Sequence, residues 1–170
     1  MDTAKVVLQT IMSRRSIRRY TSEPLSREQI EVLLDAAMAA PSANNKRPWH
    51  FVVVQDATRR QKLSRVHRWA HMVAEAPLAI AVCAELDDDP YWIDDCSAAT
   101  ENILLAAEAM GLGAVWIGIH PMPARQKAVR DILSLPDGIG VHCLIAIGHP
   151  AEHKPPHSEH DSARVHWERF

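Results

Sequence analysis

Cysteine is scarce in this 170-residue chain: Cys83, Cys96 and Cys143 are isolated, odd in number and show no C-x-x-C spacing. A disulfide frame or a zinc ribbon needs paired thiols, so neither is expected, and a reducing compartment suits the chain. Charge of one sign is lacking too. A formal net charge of −2 argues against general electrostatic capture of nucleic acid. No apolar run approaches the roughly 20 residues of a membrane-spanning helix. The opening MDTAKVVLQT has no signal-peptide core. The expectation is a cytoplasmic protein with neither a membrane nor a nucleic-acid partner. Internal repeats and low-complexity tracts are absent as well.

What is present is an ordinary globular composition, 47% hydrophobic and 24% charged, in a chain long enough to bury one core. Val6, Val7, Leu8, Ile11 and Met12 have near-helical spacing and predict a first helix over 3–13. Ser26 and Gln29 form a capping-box pattern ahead of Ile30, Leu33, Leu34, Ala37 and Met38, a second helix that stops at Pro41. WHFVVVQ from Trp49 and PLAIAVCA from Pro77 read as buried strands, with a helix capped by Asp56 and running to Trp69 between them. The longest helical pattern spans 91–110 and is apolar around much of its circumference, as befits a central buried helix. Asp94 and Asp95 begin it, where negative charge suits the helix dipole, and Gly111 closes it. AVWIGI from Ala114, a helix from Pro123 to Leu133, and VHCLIAI from Val141 complete the pattern. Residues 1–150 therefore read as one domain. The polar, His- and Pro-containing stretch 151–170 reads as an arm ending in a strand that needs a sheet edge, most simply a partner's.

Two loops carry the chemistry. Arg14-Arg15-Ser16-Ile17-Arg18-Arg19-Tyr20 concentrates four guanidinium groups, whose planar donor forks match phosphate oxygens, beside one short hydroxyl. Pro41-Ser42-Ala43-Asn44-Asn45-Lys46-Arg47-Pro48 is a rigid, donor-rich corner. A basic helix end and a plain surface turn would account for either loop taken singly. Gly111-Leu112-Gly113 closes a helix and opens a strand, the reverse of a dinucleotide-binding turn, so a Rossmann domain is not expected. His149, His153, His157, His160 and His166 match no strong ligand spacing, and no metal is expected. Asp87-Asp88-Asp89 reads as a solvated loop and Cys96 as a packed thiol.

Taken together, RRSIRRY, AAPSANNKRPWHFVVV, ATENILLAAEAMGLGAVWIG, IAIGHPAE and VHWERF resemble, in order and over nearly the whole chain, the nitroreductase family of flavin mononucleotide (FMN) enzymes. The resemblance implies a homodimeric α+β fold with a mixed central sheet flanked by helices, a C-terminal arm exchanged across the dimer, and flavin sites at the interface. Arg14, Arg15, Ser16 and Arg18 match the first flavin-binding segment. Arg14 and Ser16 would hold the phosphate and ribityl chain, with Arg18 at the N1/O2 edge of the ring. Pro41, Ser42, Ala43 and Asn45 match the segment given by the other subunit. Trp116, Ile117 and Gly118 match the strand end beside the ring. Lys154 and Arg164 stand as candidates for a C-terminal phosphate-binding pair, and Arg47 replaces the glutamine many members carry before Pro-Trp. The implied activity is hydride transfer from NADH or NADPH through flavin N5 to a nitroaromatic, quinone or similar flat acceptor, by a ping-pong route with no protein acid, base or nucleophile. A flavin-sequestering protein of the same fold is the alternative. A basic-loop module for nucleic acid is disfavoured by the lack of an aromatic stacking stripe.

Overall fold

A computed structural model describes residues 3–86, 90–156 and 160–170. The readings made for Asp87–Asp89 and His157 lie outside the described residues. The elements run α1 (Thr3–Ser13), α2 (Arg27–Met38), a 3-10 turn (Ala43–Asn45), β1 (Trp49–Val54), α3 (Ala57–Leu63), α4 (Met72–Glu75), β2 (Leu78–Glu85), α5 (Trp92–Ala109), β3 (Gly113–Gly118), α6 (Pro123–Leu133), β4 (Ile139–Gly148) and a second 3-10 turn (Ser162–Arg164). The four strands form one sheet in the order β1-β2-β4-β3.

Local chemistry sets most of the boundaries. Ser26 accepts from the main-chain N–H of Gln29 while the Gln29 side chain accepts from the N–H of Ser26, the reciprocal capping box that starts α2. Asp56 caps α3 through the N–H of Arg59. Gly111, at φ +70°, ends α5 in a Schellman turn: its N–H reaches Glu108 O at 3.0 Å, and that of Leu112 reaches Ala107 O at 2.8 Å. The helix expected to reach Trp69 stops at Leu63 instead. From the last turn of α3, Arg60 donates to the carbonyls of Ala74 and Ala76 and ties the helix to α4 and the residue after it.

The sheet is covered on both faces. Leu78, Ile80, Val82 and Ala84 of β2 pack toward α2 and α5, while Ala79, Ala81 and Cys83 pack in a second core with α3, α4 and α6. That explains why β2 and β4 read as continuous apolar runs although they are antiparallel: neither has a solvated face to alternate toward. The α+β class is as expected, but the sheet is less mixed. All the strand pairs are antiparallel, and the one parallel pairing among the described residues is an isolated bridge between Ser16 and Ala114. The segment expected as a terminal strand forms only the Ser162–Arg164 turn within its own chain, since a lone strand has no ladder to stabilise it.

All three cysteines are buried. Burial pushes the thiols of Cys83 and Cys96 up to about 12 and raises that of Cys143 as well, so they act as packed apolar groups.

Candidate functional site

The arginine segment leaves α1 and docks along the outer edge of β3. Ile17 N donates to Ala114 O at 3.0 Å, and the Tyr20 hydroxyl lies 2.5 Å from Ile17 O and 3.1 Å from Ala146 O, tying the segment to β4. The start of the C-terminal stretch closes over it from its own chain. Ala151 N donates to Arg19 O at 2.9 Å, the Glu152 carboxylate accepts from Arg18 N at 2.6 Å, and Lys154 Nζ donates to Ser16 O at 2.5 Å. Arg15 donates to the carbonyl of Pro155. The Arg18 N–H, and then Lys154 at 3.1 Å, hold the Glu152 carboxyl below its ordinary range. Thus the first part of the expected arm belongs with its own body, while Val165, Trp167 and Phe170 stand exposed beyond it.

This assembly encloses a polar cleft of about 410 Å³ lined by Ile11, Arg14, Arg15, Ser16, Arg18 and Lys154. Arg14 is steadied by Glu101 at 3.2 Å. Arg18 also lines a neighbouring pocket of about 120 Å³ with Trp116, Ile117 and Gly118. β3 is an edge strand, so its outer rim presents main-chain donors and acceptors there. Arg18 is the side chain common to both spaces. Four cationic side chains and a hydroxyl around one cleft suit a phosphate, and a strand rim beside one of those cations suits the polar edge of a flat ring.

Among the expected site residues, Arg14, Arg15, Ser16, Arg18 and Lys154 come together, and Trp116, Ile117 and Gly118 join them through Arg18. Pro41, Ser42, Ala43 and Asn45 line neither space. Their loop feeds β1, at the opposite sheet edge from β3, with β2 and β4 between: about 14 Å at ordinary strand spacing. Arg164 pairs with Asp161 at 3.0 Å on the exposed arm and does not line the cleft. Arg47 bonds back into its own loop, through Asn45 Oδ1 at 3.1 Å and Ser42 Oγ at 3.0 Å.

Several residues went unread. His67 and Trp69 line the Arg18 pocket, because the chain turns at Leu63 where a longer helix was expected. His142 occupies a bulge, since Val82 pairs with Cys143 while the next residue, Cys83, pairs with Val141. Its ring is buried among Trp92, Trp116 and His120, with Ser97 Oγ 3.3 Å from Nε2, and Nδ1 has no partner among the described residues. Burial, and secondarily His120, push His142 down to about 4. No local pattern marks that cluster, because its members come from α5, β3, the turn after β3, and β4.

Similar solved structures give the fold its class. A protein from Bacteroides thetaiotaomicron, provisionally named an NADH dehydrogenase/NAD(P)H nitroreductase, superposes with a TM-score of 0.94 at 40% identity, over 96% of this chain and 98% of that one. An FMN-dependent nitroreductase from Clostridium difficile superposes with a TM-score of 0.92 at 32% identity, over 96% and 99%. In sequence, a relative from Archaeoglobus fulgidus with the same provisional name is 44% identical over 96% of this chain and 98% of its own length. The family model for the nitroreductase family matches residues 11–79 and 60–149. The chain belongs to the nitroreductase family and is an enzyme of that type.

Proposed function

We propose that the chain works as a homodimeric, FMN-dependent oxidoreductase that draws hydride from NADH or NADPH and delivers it to a flat acceptor such as a nitroaromatic or quinone. The observation that carries this reading is the polar cleft of Arg14, Arg15, Ser16, Arg18 and Lys154, joined through Arg18 to the rim of β3. Arg14, Arg15, Ser16 and Lys154 hold the phosphate end. Trp116, Ile117 and Gly118 receive the polar edge of the ring by main-chain bonds. Arg18 stands where negative charge develops on reduction, and a fixed guanidinium there favours the reduced state. FMN, when bound, supplies a centre that takes up and returns two electrons as hydride. One pocket serving donor and acceptor in turn implies ping-pong kinetics, and no protein acid, base or nucleophile is assigned.

The dimer is supported by what one chain leaves uncovered. α1 buries no residue, and Val6, Val7, Leu8, Ile11 and Met12 are 40–54% exposed. α1 and α5 also border an apolar groove of about 450 Å³ lined by Val6, Val7, Ile11 and Leu105. A continuous apolar face of this kind marks an interaction surface. Pro41, Ser42, Ala43 and Asn45 would then complete the site of the partner, and residues 160–170, with Arg164, Trp167 and Phe170, would reach across to it. In this reading residues 1–150 form the body, 151–156 close over it, and the exposed end of the arm at 160–170 is the part that crosses.

The test is an absorbance spectrum of the purified protein, followed by anaerobic addition of NADH and then NADPH. A flavin spectrum bleached by either donor and restored by a quinone is expected. Colourless protein that takes up no FMN would contradict the reading. A yellow protein that neither donor bleaches would favour flavin storage instead.

A further inference from the structure

Asp94 and Asp95 are neighbours in the first turn of α5, yet they lie in different surroundings. Asp94 is exposed, and its position near the helix N-terminus is accounted for by the helix dipole. Asp95 is 5% exposed, and a buried carboxylate is costly unless it is bonded. Its Oδ1 accepts the main-chain N–H of Ala43 at 2.9 Å, across 52 residues of sequence. Two helical turns further along α5, Asn102 donates to the carbonyl of Ala36 at 2.9 Å. The long helix therefore grips the chain on both sides of Pro41: Asn102 holds the end of α2, and Asp95 holds the loop that follows.

That loop needs holding. Asn44, Asn45 and Arg47 have φ of +52°, +54° and +52°, a left-handed conformation that L side chains rarely adopt. Asn tolerates it through its short polar side chain, whereas a long Arg side chain carries the full Cβ penalty there. The shape persists because other bonds over-determine it. Arg47 N donates to Ser42 Oγ, Asn45 N to Ser42 O and Lys46 N to Ala43 O, so Ser42 and Ala43 are the points on which the turn closes. Asp95 fixes one of those two points to the protein body.

We infer that Asp95 is a positioning residue for the cofactor: its carboxylate holds the Ala43 N–H so that the 41–45 loop keeps the left-handed shape presented to the partner's flavin. The inference rests on the proposed role of Pro41, Ser42, Ala43 and Asn45 in FMN binding. Asp95 lines neither the polar cleft nor the β3 pocket. It acts through the loop, so its effect appears in cofactor affinity and loop protection more than in global stability.

The experiment uses the full-length protein and measures two things for the wild type, Asp95→Ala, Asp95→Asn and Asn102→Ala. One is the FMN dissociation constant by flavin fluorescence; the other is amide hydrogen exchange over residues 42–47 without flavin. Asp95→Ala should weaken FMN on the order of tenfold, the loss of one buried bond, and should speed exchange at Ala43. Asp95→Asn keeps an acceptor and should restore most of the affinity. Asn102→Ala holds a different segment and should leave the FMN constant close to that of the wild type. If Asp95→Ala does not fold, Asp95→Ser takes its place, because its hydroxyl stays polar but sits one bond short of the carboxylate oxygen that accepts the Ala43 N–H. Unchanged FMN binding with unchanged exchange in the Ala or Ser variant overturns the inference, as does equal weakening by Asn102→Ala. Should the wild type take up no FMN, the functional reading fails while exchange at Ala43 still decides whether Asp95 holds the loop.

Discussion

Ile17 lies directly over Gly113. A Cβ added to Gly113 would fall 2.6 Å from Ile17 Cγ2 and 2.8 Å from Ile17 Cβ, closer than real atoms approach. Ile17 is β-branched and stiff, so it cannot swing aside. The arginine segment can therefore rest on the edge of β3 only because the strand begins with glycine.

Gly113→Ala should accordingly push residues 16–18 away from Ala114 and misplace Arg18. A loss of about 1–3 kcal/mol in unfolding free energy is expected from the overpacking, together with weaker FMN binding. Chemical denaturation and a flavin titration of the same preparation check both. Wild-type behaviour in each would mean the segment is held elsewhere.

Arg18 is shared between the polar cleft and the β3 pocket. Arg18→Ala is expected to slow flavin reduction by tenfold or more, roughly the effect of deleting one preorganised electrostatic partner, while FMN occupancy falls less. Stopped-flow reduction by NADH of fully loaded variant protein reads the effect. Unaltered reduction kinetics would remove Arg18 from the proposed role.

His142 gives a pH dependence with a definite sign. Its native value of about 4 lies below the ordinary 6.5, so between those limits the unfolded chain binds more protons than the native one. Stability is full above pH 6.5 and is lost as pH falls toward 4, by at most about 3 kcal/mol for this group. His142→Gln should flatten that part of the curve in urea unfolding measured from pH 7.5 to 4. A variant curve parallel to the wild type would show that other groups carry the acid sensitivity.

The exposed end of the arm supplies a fourth test. Deleting residues 163–170 removes Val165, Trp167 and Phe170, which stand exposed within one chain. The truncated protein should dissociate at higher concentration in analytical ultracentrifugation and lose flavin as it does so. A truncation that stays dimeric and yellow would exclude the arm from the interface.

What could be read directly from the residues was short-range. The Ser26–Gln29 capping box, the Asp56 cap and the Gly111 turn each depend on groups a few positions apart, and each forms as its local chemistry requires. The apolar run of β2 likewise announced a buried strand, whereas β1, read as buried too, is an edge strand with His50 and Val53 exposed. The concentration of cations around Ser16 was legible as charge density, which does not depend on the fold. The chain alone did not disclose that Lys154 would reach Ser16 across 138 residues, or that Asp95 would hold Ala43 across 52. Nor did it reveal that the two polar loops would stand at opposite edges of one sheet. Those relations are decided by strand order and by the packing of α5 against α2. Bonds between distant segments become favourable only once the core has already brought the segments together, so no local pattern encodes them.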